Sequence, residues 1–275
     1  MSRRNIRSGA SSLIFSLFRP IATCHRHATQ LPSRVKDARP FSAREFQPTI
    51  SGGRKVFKMR TISFVTQKGG SGKSTLAACI AVAAQEAGER VFLIDLDPQK
   101  SLTKWAQTRD DKTLPVASMT PAKLPAALAA LDASKVSLVV IDTPATDSPQ
   151  TEAAIKAADL CIIPARPTVF DIWSSEITRA RIKTLRRDYV FLLNQCPTFS
   201  DSARVQEGAE ALEAMGGLIT PPVVSRVDYQ EAAREGLGVT ELSPDGKAAE
   251  EMRKLWSSIK RRLKAKANGK ATKAA

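Results

Sequence analysis

The stretch Gln67-Lys68-Gly69-Gly70-Ser71-Gly72-Lys73-Ser74-Thr75 constrains this chain more than any other. It follows a β-rich run, Thr61–Thr66, and opens a helical stretch, Lys73–Ala87. A strand, a glycine-rich turn and a helix in that order make a cradle for phosphate. Glycines let the backbone turn tightly and present N–H groups to phosphate oxygens, and the helix N-terminus adds the positive end of its dipole. In such a loop Lys73 supplies a point charge to the β- and γ-phosphates, and the Ser74 hydroxyl is placed to ligate Mg²⁺. Gly69, Gly70, Ser71, Gly72 and Thr75 complete the set of phosphate-loop candidates. A lysine- and glycine-rich surface turn would share the composition but not the flanking strand and helix.

Two further segments carry acids at the ends of apolar runs. Val91-Phe92-Leu93-Ile94-Asp95 continues into Leu96-Asp97-Pro98-Gln99, and Leu138-Val139-Val140-Ile141-Asp142 continues into Thr143-Pro144. A buried strand ending in a carboxylate delivers it to the carboxyl edge of the sheet, where open α/β folds bind ligands. Asp142 reads as the acid of the Mg²⁺ shell. Asp97 has two compatible readings: a catalytic carboxylate, or a helix N-cap followed by proline at the first helical position.

Short continuously apolar runs alternate with helical ones from residue 60 onward. Strands are expected at Thr61–Thr66, Val91–Asp95, Leu138–Asp142, Leu160–Pro164, Val190–Asn194 and Val223–Ser225, with a further long helix over Asp171–Arg187. That pattern predicts an α/β P-loop fold, a mostly parallel sheet covered by helices on both faces. The longest apolar runs are far too short to span a bilayer. The four cysteines, Cys24, Cys79, Cys161 and Cys196, form no CxxC pair, which speaks against a structural zinc site or a disulfide framework.

Charge is concentrated at the ends. Residues 1–58 carry 12 Lys/Arg against 2 Asp/Glu, and residues 253–275 carry 9 Lys/Arg and no acid, within a chain of net charge +15. The body between them is mildly acidic. Residues 1–58, with scattered prolines and no sustained period, read as an over-extended start before Met59, a disordered basic arm or an organellar transit peptide. Residues 59–264 read as one ATPase-sized domain and 265–275 as a basic flexible tail. Near the end, Met252, Leu255, Trp256, Ile259 and Leu263 form one apolar helical stripe, with cations at other positions. The stripe either completes the core or lies on an anionic membrane; the core reading is favoured because the domain is still closing there. Nonspecific DNA binding needs only phosphate neutralisation. The candidates for it are Arg226, Arg253, Lys254, Lys260, Arg261 and Lys264.

The strings KGGSGKST, DLDPQ and VVIDTP, in that order, resemble the ParA/MinD family of deviant Walker A ATPases. Over roughly residues 59–264 the nearest resemblance is to the short ParF-like partition branch, through Ser101–Trp105, Pro167–Trp173 and Tyr229–Gly238. The chain departs from the standard loop at Gln67, where glycine is usual, and from the family at Pro144-Ala145-Thr146. The resemblance implies ATP and Mg²⁺ as cofactors, with Lys68 reaching the partner's nucleotide across a sandwiched homodimer. It implies that Asp97 orients the attacking water, that Asp95 sits near the metal, and that Asn194 reads the adenine; an ordinary turn is the alternative for Asn194. It further implies nonspecific DNA as a partner, a ParB-like or cargo adaptor that stimulates hydrolysis, and a cytoplasmic, nucleoid-associated location. A MinD-like membrane positioner and a metabolic ATP-dependent synthetase on the same scaffold are the alternatives.

Overall fold

The computed structural model describes residues 58–198 and 202–271. The expectations for residues 1–57 lie outside the described residues. Six strands form one sheet: β1 (Arg60–Phe64), β2 (Val91–Asp95), β3 (Val116–Ser118), β4 (Leu138–Asp142), β5 (Leu160–Ala165) and β6 (Tyr189–Leu193). Their order is β3-β2-β4-β1-β5-β6, and every pairing is parallel. The helices are α1 (Lys73–Glu86), α2 (Ser101–Thr108), α3 (Leu124–Ala133), α4 (Pro149–Ala157), α5 (Val169–Thr184), α6 (Ala203–Ala214), α7 (Asp228–Arg234), α8 (Val239–Leu242) and α9 (Lys247–Ala271).

The two faces of the sheet follow from strand alternation. Ile62, Phe64, Leu93, Val140, Ile162 and Leu192 point to one side, where α1, α2, α7, α8 and α9 cover them. Val65, Cys161, Ile163, Phe191 and Leu193 point to the other, under α4, α5 and α6. Phe92, Ile94, Val139 and Ile141 continue that second layer beneath α3 and α4. Because both faces are covered, β2 and β4 are buried at every position and read in sequence as unbroken apolar runs.

Helix α9 settles the apolar stripe near the C-terminus. Met252, Leu255, Trp256, Ile259 and Leu263 are each at most 5% exposed and belong to the core layer shared with α1. That face is consumed in packing and is not presented to a membrane. The helical backbone runs to Ala271, so the tail expected from residue 265 begins as the last turns of α9. No helix among the described residues is long and apolar enough to cross a membrane.

One expected strand is corrected. Val223–Ser225 forms no strand of the sheet: backbone hydrogen bonds to Leu193 and Cys196 hold it beyond the end of β6, and they make one isolated bridge, Val224 to Cys196, among the described residues. Pro221 and Pro222 stand immediately before it and lack the N–H groups that would lengthen the ladder. The three-residue β3 was not expected from sequence, being too short to show a period.

Candidate nucleotide site

Strand register brings the predicted acids together. Phe64, the last residue of β1, is level with Asp142 of β4, and Asp142 is level with Asp95 of β2. The phosphate-loop candidates leave β1 at this same edge, so the loop, Asp95, Asp97 and Asp142 converge at the carboxyl end of three adjacent strands. This is the place where an open parallel sheet binds ligands.

The loop itself is held from below. Gly70 and Gly72 adopt positive φ, 73° and 90°, a conformation that favours glycine. The Asn194 side-chain amide donates to the Ser71 carbonyl at 2.7 Å, and that of Gln195 donates to the Gly70 carbonyl at 2.9 Å. Asn194 is 5% exposed and lies so close under Gly72 that a Cβ there would meet its amide nitrogen at 2.4 Å. Asn194 therefore braces the loop through a long-range contact that its sequence position did not suggest. At the loop's start, the Gln67 N–H donates to Thr178 Oγ1 of α5 at 3.3 Å.

From above, the loop is open. A Cβ built at Gly69 or Gly70 would meet nothing within 4 Å. The N-terminus of α1 has no side-chain cap and no acid of its own in the first turn. The Ser71 hydroxyl is buried without a hydrogen-bond partner among the described residues. An uncapped helix start, an unfilled glycine cradle and an orphaned hydroxyl are together suited to a bound phosphate chain.

Lys73 is only 7% exposed. Burial pulls its ammonium below the usual lysine range, while Asp142 and Asp97 oppose that shift. Ser74 Oγ donates to Asp142 Oδ2 at 2.6 Å, and the Thr143 N–H donates to Asp142 Oδ1 at 3.0 Å. Burial raises the Asp142 carboxyl to about 7; the Ser74 bond and Lys73 work the other way, and Asp95 and Asp97 add to the rise. A hydroxyl and a carboxylate in contact beside a phosphate cradle are the hard oxygen donors that Mg²⁺ takes from protein when phosphates supply the rest. Among the described residues no group of three His, Cys, Asp or Glu is placed to hold a metal by itself.

The two acids of the 95–97 segment divide their work. Asp95 is fully buried: Oδ1 accepts from the Asp97 N–H at 3.0 Å, and Oδ2 accepts from the Thr103 N–H and hydroxyl at 2.9 and 2.7 Å. Both of its oxygens are engaged in fixing the path from β2 into α2, so Asp95 organises that segment while lying level with Asp142 on the neighbouring strand. Burial raises its carboxyl above the ordinary range, against the Thr103 bonds. Asp97 is half-buried, and its Oδ1 accepts from the Gln99 N–H at 2.9 Å within a turn, but the helix-capping reading is corrected, because the N-cap of α2 is Lys100. Proline follows it, but α2 begins only at Ser101.

Lys68 sits at the loop's edge, half-buried. Its N–H donates to Thr66 Oγ1 at 3.2 Å, while no carboxylate among the described residues forms an ion pair with its ammonium. The DNA candidates mostly have such partners. Arg226 pairs with Glu251, Arg253 with Glu86 at 3.5 Å, Lys254 with Glu250 at 2.6 Å and Lys260 with Glu89 at 2.7 Å. Arg261 and Lys264 are exposed on α9 without a carboxylate partner among the described residues.

One buried ion pair had no signal in the sequence. The Arg109 guanidinium, at the end of α2, donates to both carboxylate oxygens of Glu241 at 2.8 and 2.7 Å and to the Gly236 carbonyl at 2.8 Å. Glu241 in turn accepts from the Gly238 N–H at 2.7 Å. The segment that follows Asp97 is thus tied to the α7–α8 corner.

The chain is similar to a known family of nucleotide-binding proteins. The family model described as the CobQ/CobB/MinD/ParA nucleotide binding domain matches residues 62–268. The maintenance of carboxysome distribution protein A of Halothiobacillus neapolitanus is 28% identical over 213 residues, covering 74% of this chain and 97% of that protein. Protein ParA of Rhizobium radiobacter is 30% identical over 181 residues, 62% of this chain and 81% of its own length. Among solved structures, apo McdA from Cyanothece superposes with a TM-score of 0.62 at 17% identity, over 75% of this chain and 100% of that one. The Mg-ADP complex of the septum site-determining protein MinD from Pyrococcus horikoshii gives 0.59 at 21% identity, over 74% and 96%. Site and comparisons converge: the chain belongs to the ParA/MinD family of P-loop nucleotide-binding proteins.

Proposed function

We propose that this chain is a dimerising partition or positioning ATPase. ATP drives two copies together, the dimer rides on nonspecific DNA, and hydrolysis, stimulated by an adaptor on the cargo, releases it. The cargo class is a plasmid, a chromosome region or another large assembly, in line with relatives named for carboxysome distribution and for partition. The observation that carries the reading is Lys68. A lysine held at the rim of a phosphate cradle with no carboxylate partner among the described residues is suited to a negative group supplied from outside the molecule.

The residues divide the chemistry as follows. The N–H groups of Gly69 to Thr75 and the Lys73 ammonium bind and orient the triphosphate. Ser74 and Asp142 hold Mg²⁺, which when bound neutralises charge on the phosphate oxygens. The free Asp97 oxygen orients the attacking water, while Asp95 and Thr103 fix the segment that carries it. Asn194 keeps the loop in its binding shape; near the base it has little surface left to offer. Arg261 and Lys264 are the DNA contacts with no carboxylate partner among the described residues, and the other four candidates would have to leave an acid first.

The membrane alternative loses its main support with the burial of the α9 stripe. The Lys68→Ala substitution tests the dimer. By sedimentation velocity with a non-hydrolysable ATP analogue, the wild type should dimerise, and the variant should stay monomeric while still binding nucleotide. Dimerisation of the variant at wild-type affinity would refute the role given to Lys68.

A further inference from the structure

Helix α5 is built inside out. Its buried face carries Asp171, Ser175 and Thr178, each at most 2% exposed, followed by Ile182. Its solvent face carries Val169, Phe170, Trp173 and Ile177, between 57% and 69% exposed. A surface helix normally turns its apolar stripe inward, and contiguous exposed apolar side chains mark an interaction surface.

The ridge is also rigid. Thr168 caps the helix, and its hydroxyl donates to Asp171 Oδ2 at 2.8 Å. Arg166 grips the same carboxylate at 2.9 and 3.1 Å. Phe170 and Trp173 pack edge to face, with ring centroids 5.7 Å apart. The polar inner face is thus satisfied and fixed, so α5 cannot roll its apolar side inward without breaking this network.

The position of the ridge points to its occupant. Thr178, one residue past Ile177, accepts the hydrogen bond from Gln67, next to Lys68. Val227, the other large apolar side chain exposed among the described residues, follows a segment in which the Ser225 N–H donates to the Cys196 carbonyl. Gln195, beside Cys196, holds Gly70. Ile177 thus lies beside a residue bonded to the start of the phosphate loop, and Val227 lies two residues beyond one bonded to Cys196, the neighbour of the Gln195 that holds Gly70. The exposed apolar side chains of the described residues therefore sit on elements anchored around the loop that carries Lys68. In an isologous dimer the same surface is offered by both partners, so an apolar ridge meets a surface of its own kind.

We propose that the Phe170–Trp173–Ile177 ridge of α5 is where a second copy of this chain seats in the ATP state, extending the contact beyond the nucleotide and Lys68. The inference rests on the dimer reading above. The ridge supplies apolar adhesion, and Lys68 makes that adhesion conditional on nucleotide.

Trp173 is 62% exposed, while Trp105 and Trp256 are 7% and 3% exposed, so acrylamide quenching of the full chain reports on Trp173. With a non-hydrolysable ATP analogue, Trp173 should become shielded as the dimer forms. Phe170→Ser and Trp173→Ser should each weaken dimerisation by about tenfold or more, as for aromatic anchors of an interface. Nucleotide affinity of the monomer should stay within about twofold, because neither side chain touches the loop. Dimers of both variants as tight as wild type would overturn the ridge while leaving the sandwich intact. So would a Trp173 already shielded without nucleotide, since the ridge would then be covered within the chain. Normal dimers that no longer respond to the adaptor would overturn it in favour of an adaptor site. A wild type that stays monomeric with the analogue would overturn the dimer reading and this inference with it.

Discussion

Replacing Gly72 by alanine should damage the protein in two separable ways. Gly72 has φ of 90°, and forcing an L-residue into that region costs about 1–2 kcal/mol. The new Cβ would also sit 2.4 Å from the Asn194 amide nitrogen, so Asn194 must withdraw and abandon the Ser71 carbonyl. Leaving a buried acceptor unpaired costs about 1–3 kcal/mol. The single substitution should therefore cost roughly 2–5 kcal/mol. Asn194→Ala alone removes the bond without the strain and should cost about 1–3 kcal/mol. In the double variant the clash is gone and the bond is lost only once, so the two costs overlap by about 1–3 kcal/mol. Urea unfolding of the four proteins without nucleotide measures each value. Costs that simply add, within about 0.5 kcal/mol, would refute the claim that Asn194 acts by bracing the loop at Gly72.

Other consequences are equally concrete. The Asp142 carboxyl titrates at about 7 in the folded protein against an ordinary value of 3.8, so between those values the folded state holds a proton that the unfolded state has lost. Stability of the nucleotide-free protein should fall as pH rises through this window, and Asp142→Asn should flatten that part of the profile; an unchanged profile would contradict the burial argument. The Arg109 side chain is 1% exposed and that of Glu241 25%, so Glu241→Ala leaves a buried cation with only Gly236, Asp111 and the Trp105 face. Discounting the fully buried figure for that exposure gives a loss of about 2–3 kcal/mol by thermal or urea unfolding, and a loss below about 0.5 kcal/mol would mean the pair is not structural.

How much of this was legible in the sequence depends on range. The phosphate loop and its acids could be read because each is local: an unbroken apolar run, then the functional residue at the point where the strand leaves the sheet. Parallel packing under helices on both faces makes that pattern plain at Val91–Asp95 and Leu138–Asp142. The brace of Asn194 on Ser71 spans 123 residues and the Arg109–Glu241 pair spans 132, so neither leaves a local trace. Helix α5 was hidden for another reason. Apolar residues at helical spacing are ordinarily assigned to the core, and here Phe170, Trp173 and Ile177 face solvent while Asp171 and Thr178 are buried. The cations of α9 were visible as a cluster, but their pairing with Glu86, Glu89 and Glu250 depends on packing against α1 and on spacing along α9 itself.

The central claim is that nucleotide state controls attachment to DNA. The most direct test measures binding of the full chain to nonspecific duplex DNA with ADP, with ATP, and with ATP in an Asp97→Ala variant, across a salt series. The account predicts binding only with ATP, persistence in the variant because hydrolysis is slowed, and an affinity that falls steeply with salt as neutralised phosphates regain their counterions. Equal binding with ADP and ATP, or no binding in any state, would contradict it.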